Sequence, residues 1–136
     1  MRYMLDTNTC VLLIRKRGAL VLKRMKRHRP DDICVSSVTL SELEYGAAKS
    51  ANPAKNRLAL AEFMTPIQVA AYDDAVAPVY GVVRAKLEKA GTPIGPLDTM
   101  IASHALALGM TVVTDNEREF CRVSGLKVQN WSKGES

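Results

Sequence analysis

The chain has 136 residues, 47% of them apolar and 24% charged, which suits one globular domain with a proper core and excludes a low-complexity or disordered segment. No apolar run is long enough to span a bilayer, and the N-terminus enters strand-like sequence without a basic-then-apolar leader, so the expected setting is the cytoplasm with no membrane association. The formal charge of +5 is unevenly spread: between Thr7 and Pro30 there is no acidic residue, yet that stretch carries Arg15, Lys16, Arg17, Lys23, Arg24, Lys26, Arg27 and Arg29. A one-sided basic surface is the electrostatic footprint of a nucleic-acid binder, and Lys23, Arg24, Lys26, Arg27 and Arg29 are the candidate RNA contacts.

In chain order, Tyr3-Met4-Leu5 reads as the end of a buried strand (2–5) that runs into Asp6, and a helix follows at 8–15. A basic helix is expected near 18–28, a β-branched strand at 33–36, and helices at 38–49 and 53–64. A strand near 66–70 precedes a long helix from Asp73 to Ala90, ended by Gly91. Pro96 opens a helix that stops at Gly109, the usual placement of proline inside the start and glycine past the end. Strands at 111–114 and 126–128 complete the pattern. Short apolar strands alternating with helices specify an α/β protein with a mostly parallel central sheet flanked by helices, in a single domain over 1–136. Cys10, Cys34 and Cys121 are odd in number and far apart, and read as buried free thiols.

Parallel sheets place their ligand site beyond the C-terminal ends of the strands. Four acids fall there: Asp6 after the first strand, Glu42 in the helix after the second, Asp98 in the first turn of the helix opened by Pro96, and Asp115 after the fourth strand, with Asn116 and Glu119 beside it. Each has an ordinary explanation alone. Asp6 caps a helix, Glu42 fits a capping box with Thr39, Asp98 favours a helix N-terminus and Asp115-Asn116 suits a turn. Together they converge at one sheet edge, where like charges raise one another's pKa and call for a cation. An all-oxygen cluster without His or Cys suits Mg²⁺, with Mn²⁺ as substitute, rather than zinc. Carboxylate-held Mg²⁺ in a basic protein points to hydrolysis of phosphodiester bonds. His28 lies in the basic run and His104 at the edge of an apolar stripe, so neither reads as a general base.

The segments "MLDTNTC", "SSVTLSELEYGA", "PIGPLDTMIASHA" and "VVTDNEREFCRVSGLKVQNW" resemble, in this order and from Met4 to Trp131, the PIN-domain ribonuclease toxins of bacterial VapBC toxin–antitoxin systems. The resemblance implies a PIN-like α/β/α sandwich and a Mg²⁺- or Mn²⁺-dependent endoribonuclease, catalytic and metal-binding through Asp6, Glu42, Asp98 and a fourth acid. By the family's spacing the fourth position falls on Asn116, with Asp115 next door. Either Asp115 takes the role, or the fourth ligand is weak and Glu119 or water helps. Thr7, Asn8 and Thr114 match the polar positions that support the acids. The resemblance further implies a homodimer, a cognate VapB-type antitoxin that covers the active site, and a tRNA loop as substrate, with initiator tRNA in view. Two other classes compete. "LDTNT" approaches the signature of aspartate-nucleophile phosphatases, but Asn8 stands where they need a second Asp. A non-catalytic RNA-binding or regulatory module would bind RNA and never cut it.

Overall fold

In the computed structural model, which describes residues 1–133, five short strands form one sheet: β1 (Tyr3–Leu5), β2 (Ile33–Ser36), β3 (Gln68–Ala70), β4 (Thr111–Val113) and β5 (Lys127–Gln129). The order is β3-β2-β1-β4-β5 and every pairing is parallel, with Leu5 opposite Val35 on one side and Val113 on the other. The last three residues of the expected 1–136 domain lie outside the described span.

Residue alternation builds a core on each face of the sheet. Met4, Cys34 and Val112 point to one side, where they pack with Val83 and Leu87 of α5 (Ala77–Lys89) and Ile101, Ala102 and Ala105 of α6 (Pro96–Leu108). Tyr3, Leu5, Ile33, Val35 and Val113 point to the other. There they meet Cys10 of α1 (Thr7–Ile14), Val21 of α2 (Ala19–Met25), Leu43 of α3 (Ser37–Ala48) and Leu60 of α4 (Pro53–Met64). The result is the expected α/β/α sandwich. None of the helices among the described residues is long and apolar enough to cross a membrane.

The local signals act as their chemistry requires. Ser36 caps α3 by accepting from Val38 N at 3.1 Å, and Asn52 caps α4 by accepting from Lys55 N at 3.2 Å. Gly109 ends α6 in the left-handed conformation, φ 67°. The long helix starts at Ala77 rather than Asp73. The Asp73 carboxylate accepts from Ala75 N at 3.0 Å, a local turn that competes with helix, and Pro78 then sits in the first turn, where a missing N–H is harmless. Two single-turn pieces, a 3-10 turn at Pro30–Asp32 and α7 (Glu117–Phe120), are too short to show a period in the sequence. Cys10 and Cys34 are buried free thiols as read, but Cys121 is exposed, because it follows the single turn of α7 on its outer side.

The strand order sets the site. The chain steps outward from β1 through β2 to β3, then returns to lay β4 against the opposite side of β1. The crevice beyond the carboxyl ends of β1 and β4 is the switch point at which such sheets bind ligands.

Candidate active site

Asp6 occupies that crevice and is 1% exposed. Its backbone N–H continues the ladder by donating to Val113 O at 3.0 Å. Its Oδ1 accepts from Thr9 N at 2.9 Å, which makes it the N-cap of α1, and its Oδ2 accepts from Thr114 Oγ1 at 2.6 Å. The helix cap and the candidate active-site acid are therefore one residue, since a carboxylate has lone pairs enough for both. Burial raises the Asp6 pKa, the bonds from Thr114 and Thr9 oppose that rise, and Asp115 adds to it. Asp115 thus reaches the same crevice, from an exposed position past β4.

Glu42 is not a capping-box acid, because Ser36 rather than Thr39 caps α3. It lies one and a half turns into α3, where Thr7 Oγ1 donates to its Oε1 at 2.7 Å and stands 3.5 Å from Thr39 Oγ1. Asp98 is half-buried in the first turn of α6. Burial first, and then Asp6, Glu42 and Glu119, push its carboxyl up to about 6. These influences all act in one direction. Acids from the exit of β1 and from α3, α6 and α7 therefore share one electrostatic neighbourhood although 113 positions of sequence separate the first from the last.

Past β4, Thr114 Oγ1 both donates to Asp6 and accepts from Asn116 N at 2.9 Å, so the strand exit is tied to Asp6 directly. Asn116 Nδ2 donates to Glu119 Oε2 at 3.0 Å. At this edge Asn116 holds Glu119, whose charge acts on Asp98, while the charge of Asp115 acts on Asp6. Asn8 is exposed in the first turn of α1. Among the described residues no three acidic, His or Cys side chains form a ready-made metal cage. Asp6, Glu42 and Glu119 are each held by hydroxyl or amide partners. The donor set is nevertheless all oxygen and mutually repelling, which fits a hard divalent cation.

A PIN domain family model matches residues 3–126. The chain belongs to the VapC-type PIN-domain family. It is 45% identical to the tRNA(fMet)-specific endonuclease VapC of Shigella flexneri, over 97% of this chain and 99% of that protein. Against the protein of the same name from Salmonella typhimurium it is 41% identical, over 96% of this chain and 98% of that one. The solved structure of DNA-bound VapBC from Salmonella typhimurium superimposes with a TM-score of 0.91 at 41% identity, covering 96% of this chain and 98% of that one. VapBC2 from Rickettsia felis, bound to a promoter DNA fragment, gives 0.90 at 36% identity, covering 96% and 99%.

Within this PIN domain the basic stretch is divided by the fold. Lys23, Lys26 and Arg27 are exposed, whereas the Arg24 guanidinium lies 5.6 Å from the centre of the Trp131 ring. Arg29 pairs with Asp31 at 3.9 Å just before β2, at the strands' N-terminal edge and so opposite the acids. His28 stacks on Trp131, with ring centroids 5.3 Å apart. His104 is not at the edge of the core but wholly inside it, 0% exposed, with Nδ1 2.9 Å from Ser36 Oγ. Ser36 Oγ also accepts from Val38 N, and its bond with His104 Nδ1 runs in either direction according to the ring's tautomer, while Nε2 is buried without a hydrogen-bond partner among the described residues. Burial lowers the His104 pKa, against the pull of Asp73 and the Ala71 backbone.

Two supporting residues, Thr9 and Thr39, carry no distinct signal as site residues when each is taken alone. Thr9 holds Asp6 through its N–H and β4 through its hydroxyl, which donates to Val113 O at 3.2 Å. Thr-x-Thr after a strand Asp is the pattern that marks Thr9 in the sequence.

Proposed function

We propose that this PIN domain is the toxin of a VapBC-type pair and acts as a divalent-metal-dependent endoribonuclease whose substrate is a tRNA, initiator tRNA in particular. The observation that carries the reading is the set of carboxylates at the switch point of the sheet, with Asp6 tied to Thr114 at 2.6 Å and Glu42 to Thr7 at 2.7 Å, beside Asp98, which burial and these acids push up to about 6. The substrate assignment rests on similarity to the Shigella and Salmonella proteins, which are tRNA(fMet)-specific endonucleases.

In this reading Asp6, Glu42, Asp98 and Asp115 hold Mg²⁺, or Mn²⁺ in its place, with Glu119 held ready by Asn116. When bound, such a cation supplies charge neutralisation and an acidified water for in-line attack on a phosphodiester. The protein's own part is orientation. Thr114 and Thr9 hold and aim Asp6, Thr7 holds Glu42, and the sheet fixes their spacing. Lys23, Lys26 and Arg27, together with Arg24, offer a path for RNA phosphates beside α1, and Arg29 extends it toward the opposite edge. A VapB-type antitoxin, a second copy of the chain and a cytoplasmic location complete the proposal.

The test is sequencing of newly formed RNA ends after brief induction in cells, comparing the parent with Asp6→Ala. New ends in one tRNA loop, present only with the parent, are expected. RNA that is bound and never cut would instead make the chain a binding module.

A further inference from the structure

Beside the acids, between α1, α3 and α4, lies a groove of about 220 Å³ whose lining includes Thr7 and Glu42, so it is continuous with the catalytic crevice. Its floor is apolar (Val11, Ile14 and Leu60) and its rim carries Arg15 and Lys49. Next to it Tyr45 is 64% exposed, with Lys49 Nζ 4.8 Å from the centre of its ring. Gly46 also lines the groove, in the last turn of α3 and with ordinary helical backbone. A helix-interior glycine is less stable than alanine, and here a Cβ would meet no atom within 4 Å. The protein therefore keeps a costlier residue where a side chain would fit, and that side chain would occupy the groove.

Resting on the ribonuclease reading, the geometry points to a subsite for one unpaired nucleotide adjoining the scissile phosphate. The base lies on the apolar floor over Gly46, and the neighbouring phosphates face Arg15 and Lys49. Cations alternating with an exposed aromatic beside an apolar slot are the chemistry that takes single-stranded RNA.

The probe is initiator tRNA assembled from synthetic fragments, either intact or with an abasic nucleotide at each position flanking the cut. Gly46→Leu, which fills the groove with a good helix former, is expected to lower kcat/KM on intact tRNA by about ten-fold or more. The parent should cut one abasic tRNA comparably slowly, and Gly46→Leu should add little further loss on that substrate, because the base it would exclude is gone. Gly46→Ala should melt above the parent. So should Gly81→Ala on α5, where a Cβ also meets nothing within 4 Å, but without any change in cleavage. Equal losses from Gly46→Leu on intact and abasic tRNA would assign the effect to Glu42, one helical turn away, and overturn the subsite. Unchanged cleavage by Gly46→Leu would overturn it too, even if antitoxin affinity fell. A parent that leaves the tRNA uncut in Mg²⁺ and Mn²⁺ fails the ribonuclease reading itself, and the subsite with it.

Discussion

Asp98 carries a charge that the metal-free fold does not want. Burial, then Asp6, Glu42 and Glu119, hold its carboxyl near 6 instead of the usual 3.8, so the folded protein binds that proton more tightly than the unfolded chain. The associated stability is complete below about pH 4 and is lost as pH rises through 6. Asp98→Asn removes this fall, and at pH 7 without metal it should be as stable as the parent or more stable, by about 1 kcal/mol, since solvent screens a half-exposed carboxylate. Cleavage should drop about 100-fold or more, because loss of a ligand costs at least what loss of its supporting partner does. Thermal melts from pH 4 to 8 and a cleavage assay on the same two proteins check both signs. If Asp98 served only its own helix N-terminus, Asn would instead cost a few tenths of a kcal/mol and cleavage would survive. His104 acts in the opposite sense. Its pKa is depressed, so its contribution is intact above 6.5 and falls away as pH drops below that value, in parent and variant alike.

At the scale of elements, the turn-and-helix region from α2 to β2 is where charge and position separate. Lys23 and Lys26 are exposed on one short helix and its cap, while Arg24 packs over Trp131 and Arg29 sits with Asp31 at the far edge of the sheet. Replacing Lys23 and Lys26 together with Gln should weaken RNA binding and reduce the slope of log affinity against log salt by about 0.7 for each phosphate that is no longer neutralised. The cut position should not move, because Asp6 and the acids on α3 and α6 are untouched. Filter binding across a salt series, with mapped cleavage ends, measures both. An unchanged slope would leave this helix as a surface for the antitoxin rather than for RNA.

For the whole molecule, the two cores lie on the faces of the sheet and the acids lie beyond its edge, so metal and fold are separable. Chelation should abolish cleavage while leaving the far-ultraviolet circular dichroism of the folded chain in place. Added Mg²⁺ should raise the melting temperature, since a ligand held only by the native state stabilises it by about 2.7 kcal/mol at a hundred times its dissociation constant. That gain should shrink in Asp98→Asn. Full activity in chelator would refute the metal mechanism outright.

The sequence by itself determined the alternation of strands and helices, the placement of Asp6, Glu42, Asp98 and Asp115 after strands, and the family, because these depend on local periodicity, turn chemistry and ordered motifs. Neighbours along the chain supply all of that information. Tertiary structure alone decided the rest. Strand order opens the crevice between β1 and β4, and only then does Thr114 reach Asp6 across 108 positions, while Asn116 donates to Glu119. The same folding sends Arg29 to the edge away from the acids and leaves Gly46 facing open space beside Glu42. These relations join residues through packing and the topological return of the chain, and no local pattern encodes the distance between side chains that meet only once the sheet has closed up around β1.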